Sequence, residues 1–232
     1  MFGHKNAINM IKKLVEYCLS IPKSLYFCMR MLPFRDALRL PILIRYNVVL
    51  TSLSGCCHIS GGCNYGMIRI GFGNIGSFDK RYQRTILEIN GHIRFRGKCF
   101  IGHGSRIVVG ENGKLVFGDR FYITSSSTII TFEKIVFGDD VLVSWDCLFM
   151  DTDFHYVIEK ESKQKLIRNK EIIVGSHVWI GCRSTILKSS VLLDDTVVAS
   201  NSVITKKIDN GSVLLAGNPA KIKKTNITWK RN

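Results

Sequence analysis

The sequence predicts a mainly β protein: a parallel β-solenoid with an N-terminal helical segment and one long loop excursion. Three observations carry this. Aliphatic or aromatic residues recur at every sixth position from about Phe95 onward. Small residues stand two places before the aliphatics of the last block. Helical spacing of apolar residues marks the first fifty residues, which differ from the rest.

In residues 1–48, Ile8, Met10, Ile11, Leu14, Val15 and Cys18 recur at helical spacing and Lys12, Lys13 and Glu16 interrupt them, which predicts an amphipathic helix. Pro22, Pro33 and Pro41 are expected to break any continuous run. Lys23, Arg30, Arg35 and Arg39 keep the segment well short of the roughly 20 apolar residues a membrane span needs. An amphipathic stripe of this kind is expected to dock on the main domain or on another subunit. The alternative is peripheral contact with an anionic membrane through Leu25, Tyr26, Phe27, Met29 and Met31.

Residues 49–208 are assigned to the solenoid. The glycine-rich stretch from Gly55 to Gly76 is expected to hold irregular opening coils. The period then runs through Phe95, Ile101 and Ile107; through Phe117, Ile123, Ile129 and Ile135; and through Phe137, Val143 and Phe149. It resumes at Val174, Ile180, Ile186, Leu192, Val198 and Ile204 without a slip. Two places before these last aliphatics stand Val178, Ser184, Ser190, Thr196 and Ser202. Residues two apart on a strand face the same side, so each small residue faces inward where the chain must turn. Six residues fit one short strand and a corner, so three such units close one coil and coils stack. Gly110 to Gly113 inserts a turn, 151–172 is a long polar loop of the kind that carries function, and 209–232 is a basic tail.

The net charge of +15, from 33 Lys and Arg against 18 Asp and Glu, favours anionic partners: nucleotides, phosphorylated carriers, acidic glycans or anionic lipid. The cations are not clustered with stacking aromatics, so nucleic acid is not the expected partner. The eight cysteines form no secreted framework and no cleavable signal precedes them, which points to reduced thiols and a cytoplasmic location. Cys56, Cys57, His58 and Cys63 lack a second ligand pair at zinc-finger spacing, so no metal is expected.

The segment His177 to Cys182 (HVWIGC), the hexads after it and Ala216 to Lys221 (AGNPAK) resemble the C-terminal half of the hexapeptide-repeat acetyltransferases. That family includes sugar O-acetyltransferases related to the galactoside and maltose enzymes, and Asp140 to Lys221 carries the most specific part of the likeness. Leu32 to Arg35 and Leu40 to Leu43 are similar to segments of acetyltransferases from capsular and other surface-polysaccharide gene clusters. The resemblance implies a left-handed parallel β-helix, a homotrimer with its active sites between neighbouring subunits, and acetyl-CoA as co-substrate. The acceptor is then a glycan or a nucleotide-linked sugar.

Acetyl transfer to a hydroxyl needs a base, a donor to the developing oxyanion and a grip on the CoA. His155 matches the family's catalytic histidine, and an imidazole with an ordinary pKa of about 6.5 is available as a base at cytosolic pH. Asp151 and Asp153 are both close enough in sequence to orient it. By resemblance, Trp179 and Cys182 line the acetyl-CoA groove, with a backbone amide near Cys182 polarising the thioester; Ser200, Thr205, Lys206 and Lys221 contact the pantetheine arm or the phosphates. Trp145 and Asp146 are candidates for the acceptor pocket. Where several members have asparagine in the coil before the histidine, this chain has Thr124 to Thr128 (TSSST). O-acetylation of a surface-polysaccharide sugar is the leading expectation. N-acetylation of a nucleotide-linked amino sugar, a γ-type carbonic anhydrase and a non-catalytic trimeric scaffold are its rivals.

Overall fold

The computed structural model describes residues 2–231 apart from Asn74, Ser77, Lys80 and Arg81, and side chains from Met10 onward; His4 and Ile8 lie outside the described side chains. Parallel strands wind into three sheets. Sheet A has nine strands, B seven and C six. Successive strands pass from A to B to C: Cys99–Gly102, Arg106–Val109 and Lys114–Phe117 make one coil, and Phe121–Ile123, Thr128–Thr131 and Lys134–Phe137 stack on it.

The six-residue period is the core. From Phe95 to Ile204, every residue of the periodic series is 1% exposed or less. Rings stack along the axis inside: Phe95 on Phe117 at 5.3 Å and Phe117 on Phe137 at 5.6 Å, with Phe149 edge-on to Phe137 at 5.1 Å. Ser184, Ser190, Thr196 and Ser202 are fully buried, as the spacing predicts. Most of their hydroxyls also satisfy corner carbonyls that the sheets leave over: Ser184 donates to Ala199 O at 3.0 Å, Ser190 to Ile204 O at 3.1 Å and Thr196 to Leu193 O at 2.7 Å. At Gly181 a Cβ would meet Ser200 N at 2.6 Å, so coil stacking itself excludes a side chain there.

The solenoid begins at Ile42–Ile44, which pairs in register with Ile68–Phe72. The opening is thus two complete coils, with register shifts at Leu50/Ser52 and Ile70/Phe72 and longer connections after Ile59 and Phe72. The 209–232 segment likewise continues sheet A: Val213–Gly217 pairs with Val197–Val198, and Ala220–Thr225 turns back antiparallel to form its edge. Lys221, Lys223 and Lys224 charge that edge, which guards it against further strand pairing.

The expected break at Pro22 does not occur. Helix α1 runs Phe2–Met31 with Pro22 inside it, and α2 is Phe34–Ala37. A proline loses one helix hydrogen bond, and the turn around it is supported from outside. Ser24 Oγ accepts from Ile44 N at 2.8 Å, Lys23 Nζ donates to Tyr46 O and Val48 O, and Cys28 Sγ donates to Ile42 O at 3.4 Å. Phe27, Cys28 and Met31 are buried, and Arg45 pairs with Glu16 at 2.5 Å. The helix therefore docks, capping the open first coil and its bare backbone. Its opposite side, from Met10 through Leu14 and Leu25 to Met29, is exposed. No described helix is long and apolar enough to cross a membrane.

Candidate active site

Three edges run along the prism. The A/B edge carries Trp145, Asp146, Cys182 and Ser200 at successive corners: Arg183 N donates to Trp145 O, and Asn201 N to Cys182 O, both at 3.0 Å. The B/C edge carries the loop from Asp151 to Glu171, then Lys188, then Thr205 and Lys206. Within one chain the predicted catalytic residues and the corner residues Cys182 and Ser200 therefore lie on opposite sides of sheet B.

The loop is firmly rooted. Asp151 is fully buried, and its carboxylate accepts from Thr131 Oγ1 at 2.6 Å and from the N–H groups of Phe132, Glu133 and Lys134 at 2.8–3.0 Å. That corrects one expectation: these bonds occupy Asp151 in holding the preceding corner, and it does not orient His155. Asp153 Oδ2 is held by Lys188 Nζ at 2.5 Å. Thr152 Oγ1 bonds Asn169 across the base of the loop and accepts from Phe154 N at 3.0 Å. His155 N donates to Asp153 O at 2.6 Å, which folds the intervening Phe154 to φ 59°, a left-handed conformation costly for a bulky residue. The His155 imidazole stands exposed, with no hydrogen bond to another described side chain. Beyond it, Tyr156, Val157, Ile158, Leu166 and Ile167 are all more than half exposed, an apolar tip held away from its own coil.

At the A/B edge, Gly181 N is taken by Val198 O at 2.7 Å and Arg183 N by Trp145 O. Cys182 Sγ donates to Ser200 Oγ at 3.3 Å. Trp179, 39% exposed on sheet A, donates from Nε1 to Ser144 Oγ at 3.3 Å. Trp145 is half-buried and Asp146 exposed, with φ 57°. Lys206 and Lys221 come together, with Lys207, Asp209 and Asn210, around a cavity of about 290 Å³ at the C-terminal end, where Lys207 pairs with Asp209 at 3.2 Å and Lys206 and Lys221 leave the lining net cationic.

Two features were not legible in the sequence. Lys188 is one basic residue among many until the loop folds onto it. Trp229 stacks on His177 at 4.6 Å, donates from Nε1 to His177 O at 2.7 Å, and lies 6.2 Å from Trp179. The His177 Nδ1 bond to Asp140 at 2.9 Å raises that imidazole's pKa. His177 thus anchors the C-terminal tail beside Trp179.

No family model matches the chain. It is 30% identical over 203 residues to an uncharacterised 24.8 kDa protein of the cps region of Klebsiella pneumoniae, covering 87% of this chain and 86% of that one. It is 31% identical over 126 residues to the polysialic acid O-acetyltransferase of Escherichia coli O1:K1, covering 54% of this chain; the match spans only 41% of that relative's length. The solved structure of the polySia-specific acetyltransferase NeuO superposes with a TM-score of 0.52 at 22% identity, covering 83% of this chain and 79% of that one. That likeness shows the fold, the left-handed parallel β-helix.

Proposed function

Because the chain belongs to the hexapeptide-repeat acetyltransferase family, we propose that it transfers acetyl from acetyl-CoA to a sugar hydroxyl of a surface polysaccharide or its precursor, with His155 as general base. The observation that carries the proposal is the exposed His155 imidazole on a loop rooted by Asp151, Thr152 and Asp153. His155 takes the acceptor proton as the hydroxyl oxygen attacks the thioester carbonyl carbon. The C–O bond forms, the C–S bond breaks, and the departing thiolate takes the proton back from the imidazolium. At the Cys182 corner the neighbouring N–H groups are already used, which leaves the Cys182 N–H to stabilise the oxyanion. Ser200, Thr205, Lys206 and Lys221 hold the CoA, Trp179 walls the pantetheine, and Trp145 and Asp146 face the acceptor. Asp153, fixed by Lys188, sets the position of the His155 backbone.

The active enzyme is a homotrimer around sheet B. The outward side chains of that sheet include Val108, Ile130, Leu148, Met150, Leu187 and Val203, an apolar face only partly buried in one chain. Sheet C turns His58, His92, Arg94 and Lys114 outward in its early coils and Val116, Val136, Ile173 and Val191 in the later ones, and sheet B carries Glu88 and Arg106 in its own early coils. Packing sheet B about a threefold axis sets the A/B edge of one chain against the B/C edge of the next, which unites the two half-sites. The enzyme works in the cytoplasm, where acetyl-CoA is made. The exposed apolar side of α1, flanked by Lys12 and Arg30, rests on the anionic inner face of the membrane.

Thiol release from acetyl-CoA, followed with a panel of surface-polysaccharide sugars, tests this. Acceptor-dependent release that falls about 10²–10⁴-fold in His155→Ala, with a product cleaved by hydroxylamine, is the expected outcome. Undiminished release in the variant refutes the base, and a hydroxylamine-stable product refutes O-acetylation.

A further inference from the structure

The third edge of the prism joins sheet C to sheet A. A groove of about 610 Å³ opens there onto sheet A in the early coils, away from sheet B. Its wall includes Phe100 and Tyr122, stacked face to face at 4.5 Å and an interplanar angle of 11°. Around them stand Arg69, Lys98, Arg120 and Arg231, with Arg231 over the Tyr122 ring at 5.4 Å. Asp119 is the one carboxylate lining the groove; Arg120 pairs with it at 2.8 Å, and Arg120 and Arg231 both lie close to Asp140 behind it, at 3.9 and 3.8 Å, which leaves the Arg69 and Lys98 side chains without a carboxylate partner among the described residues.

We propose that this groove binds an extended anionic saccharide chain and feeds it along sheet A toward Trp179, a role that rests on the polysaccharide-acetylating function proposed above. The cations are spread rather than convergent. Arg69 lies on the strand Ile68–Phe72, Lys98 directly precedes Cys99–Gly102, and Arg120 directly precedes Phe121–Ile123. These are consecutive strands of sheet A, so the charges span about 10 Å along the axis at the usual interstrand spacing of roughly 4.8 Å. A single phosphate wants its donors gathered at one point; a polymer with an acid on each unit wants them in a row. The ring pair is a rigid apolar wall for the hydrophobic faces of sugar rings, while their carboxylates turn to the cations. Beyond Phe121–Ile123 the next strands of the sheet are Leu142–Val143 and then Trp179–Ile180, so a chain seated here is led toward the proposed site. In a trimer packed through sheet B this edge faces outward and stays open.

The test is binding of fluorescently labelled polysialic acid, hyaluronan and polygalacturonate, with dextran of equal length as the neutral control and no acetyl-CoA present. The wild-type chain is expected to bind at least one of the acidic polymers, with an affinity that weakens as salt is raised, and not dextran. Lys98→Glu with Arg120→Gln is expected to weaken that binding at least tenfold, and Tyr122→Ala to weaken it without changing its salt dependence. Thiol release with a short acceptor stays unchanged in the double variant, which also reports that it is folded. No binding of any acidic polymer by the wild type, equal binding of dextran, or an affinity within twofold in the double variant overturns the inference. Because binding is read without transfer, these results are independent of whether His155→Ala loses activity.

Discussion

Lys188 joins the two legs of the His155 loop: its Nζ lies 2.5 Å from Asp153 Oδ2 and 2.5 Å from the Ile167 carbonyl oxygen. One leg carries the proposed base, and the other returns the chain to sheet C. The pair is only partly buried, so its contribution to global stability is small, while its effect on loop geometry is direct.

Lys188→Met is therefore expected to lower kcat about tenfold or more by misplacing the base, with little change in melting temperature. Hydrogen exchange should quicken over 153–168 alone. If exchange quickens there but kcat is untouched, the loop does not need this anchor for catalysis.

Asp151 and His155 separate stability from chemistry. Asp151→Ala removes a buried acceptor of four hydrogen bonds and strands three backbone N–H groups, at a cost of about 3 kcal/mol. His155→Ala should leave stability unchanged and remove activity. Denaturant unfolding of both variants checks this, and an Asp151 variant of native stability but altered pH–rate profile would restore Asp151 as the orienting carboxylate.

The interior was legible in the sequence because a six-residue period maps directly onto an inward-facing column. Phe95, Phe117 and Phe137 are spaced in sequence as they are stacked in space. The corner hydroxyls were legible as small residues but not as donors, since their acceptors are carbonyls of the same or the next coil. Pro22 misled because its cost is met by tertiary bonds from Lys23 and Ser24 to backbone groups at least twenty residues away. Asp151 misled for the converse reason: sequence proximity to His155 carries no information about which way a carboxylate turns at a corner. The candidate residues for the site stand out in the sequence by type and motif, apart from Lys188. Their division between two edges does not, because a solenoid places neighbours in space about three hexads apart.

His177 offers a pH readout of the tail. Both ring nitrogens face acceptors, Asp140 Oδ2 and Trp229 O, each at 2.9 Å, so the charged form is favoured and its pKa lies above the ordinary 6.5, chiefly through the Asp140 hydrogen bond. A raised folded-state pKa means that this stabilisation is fully present below about 6.5 and is lost as pH rises through the higher folded value. Trp229 emission, isolated by subtracting Trp229→Phe, should titrate with a midpoint above 6.5 that drops in Asp140→Asn. A midpoint indifferent to Asp140 would assign the shift elsewhere.

The division of the site across sheet B makes the strongest claim on the assembly. If each active centre joins the His155 edge of one chain to the Cys182 edge of the next, then His155→Ala and Trp179→Ala trimers are each inactive. Trimers refolded from an equal mixture regain activity, because some interfaces then pair two intact halves. Random assortment gives a quarter of interfaces with both halves intact, so recovery should approach about a quarter of wild-type activity. Ile130→Glu, which puts a charge on the apolar outer face of sheet B, should yield folded monomers by light scattering with no activity and no recovery on mixing. Absence of recovery between the two single-site variants, with trimers still formed, would place the whole centre within one chain.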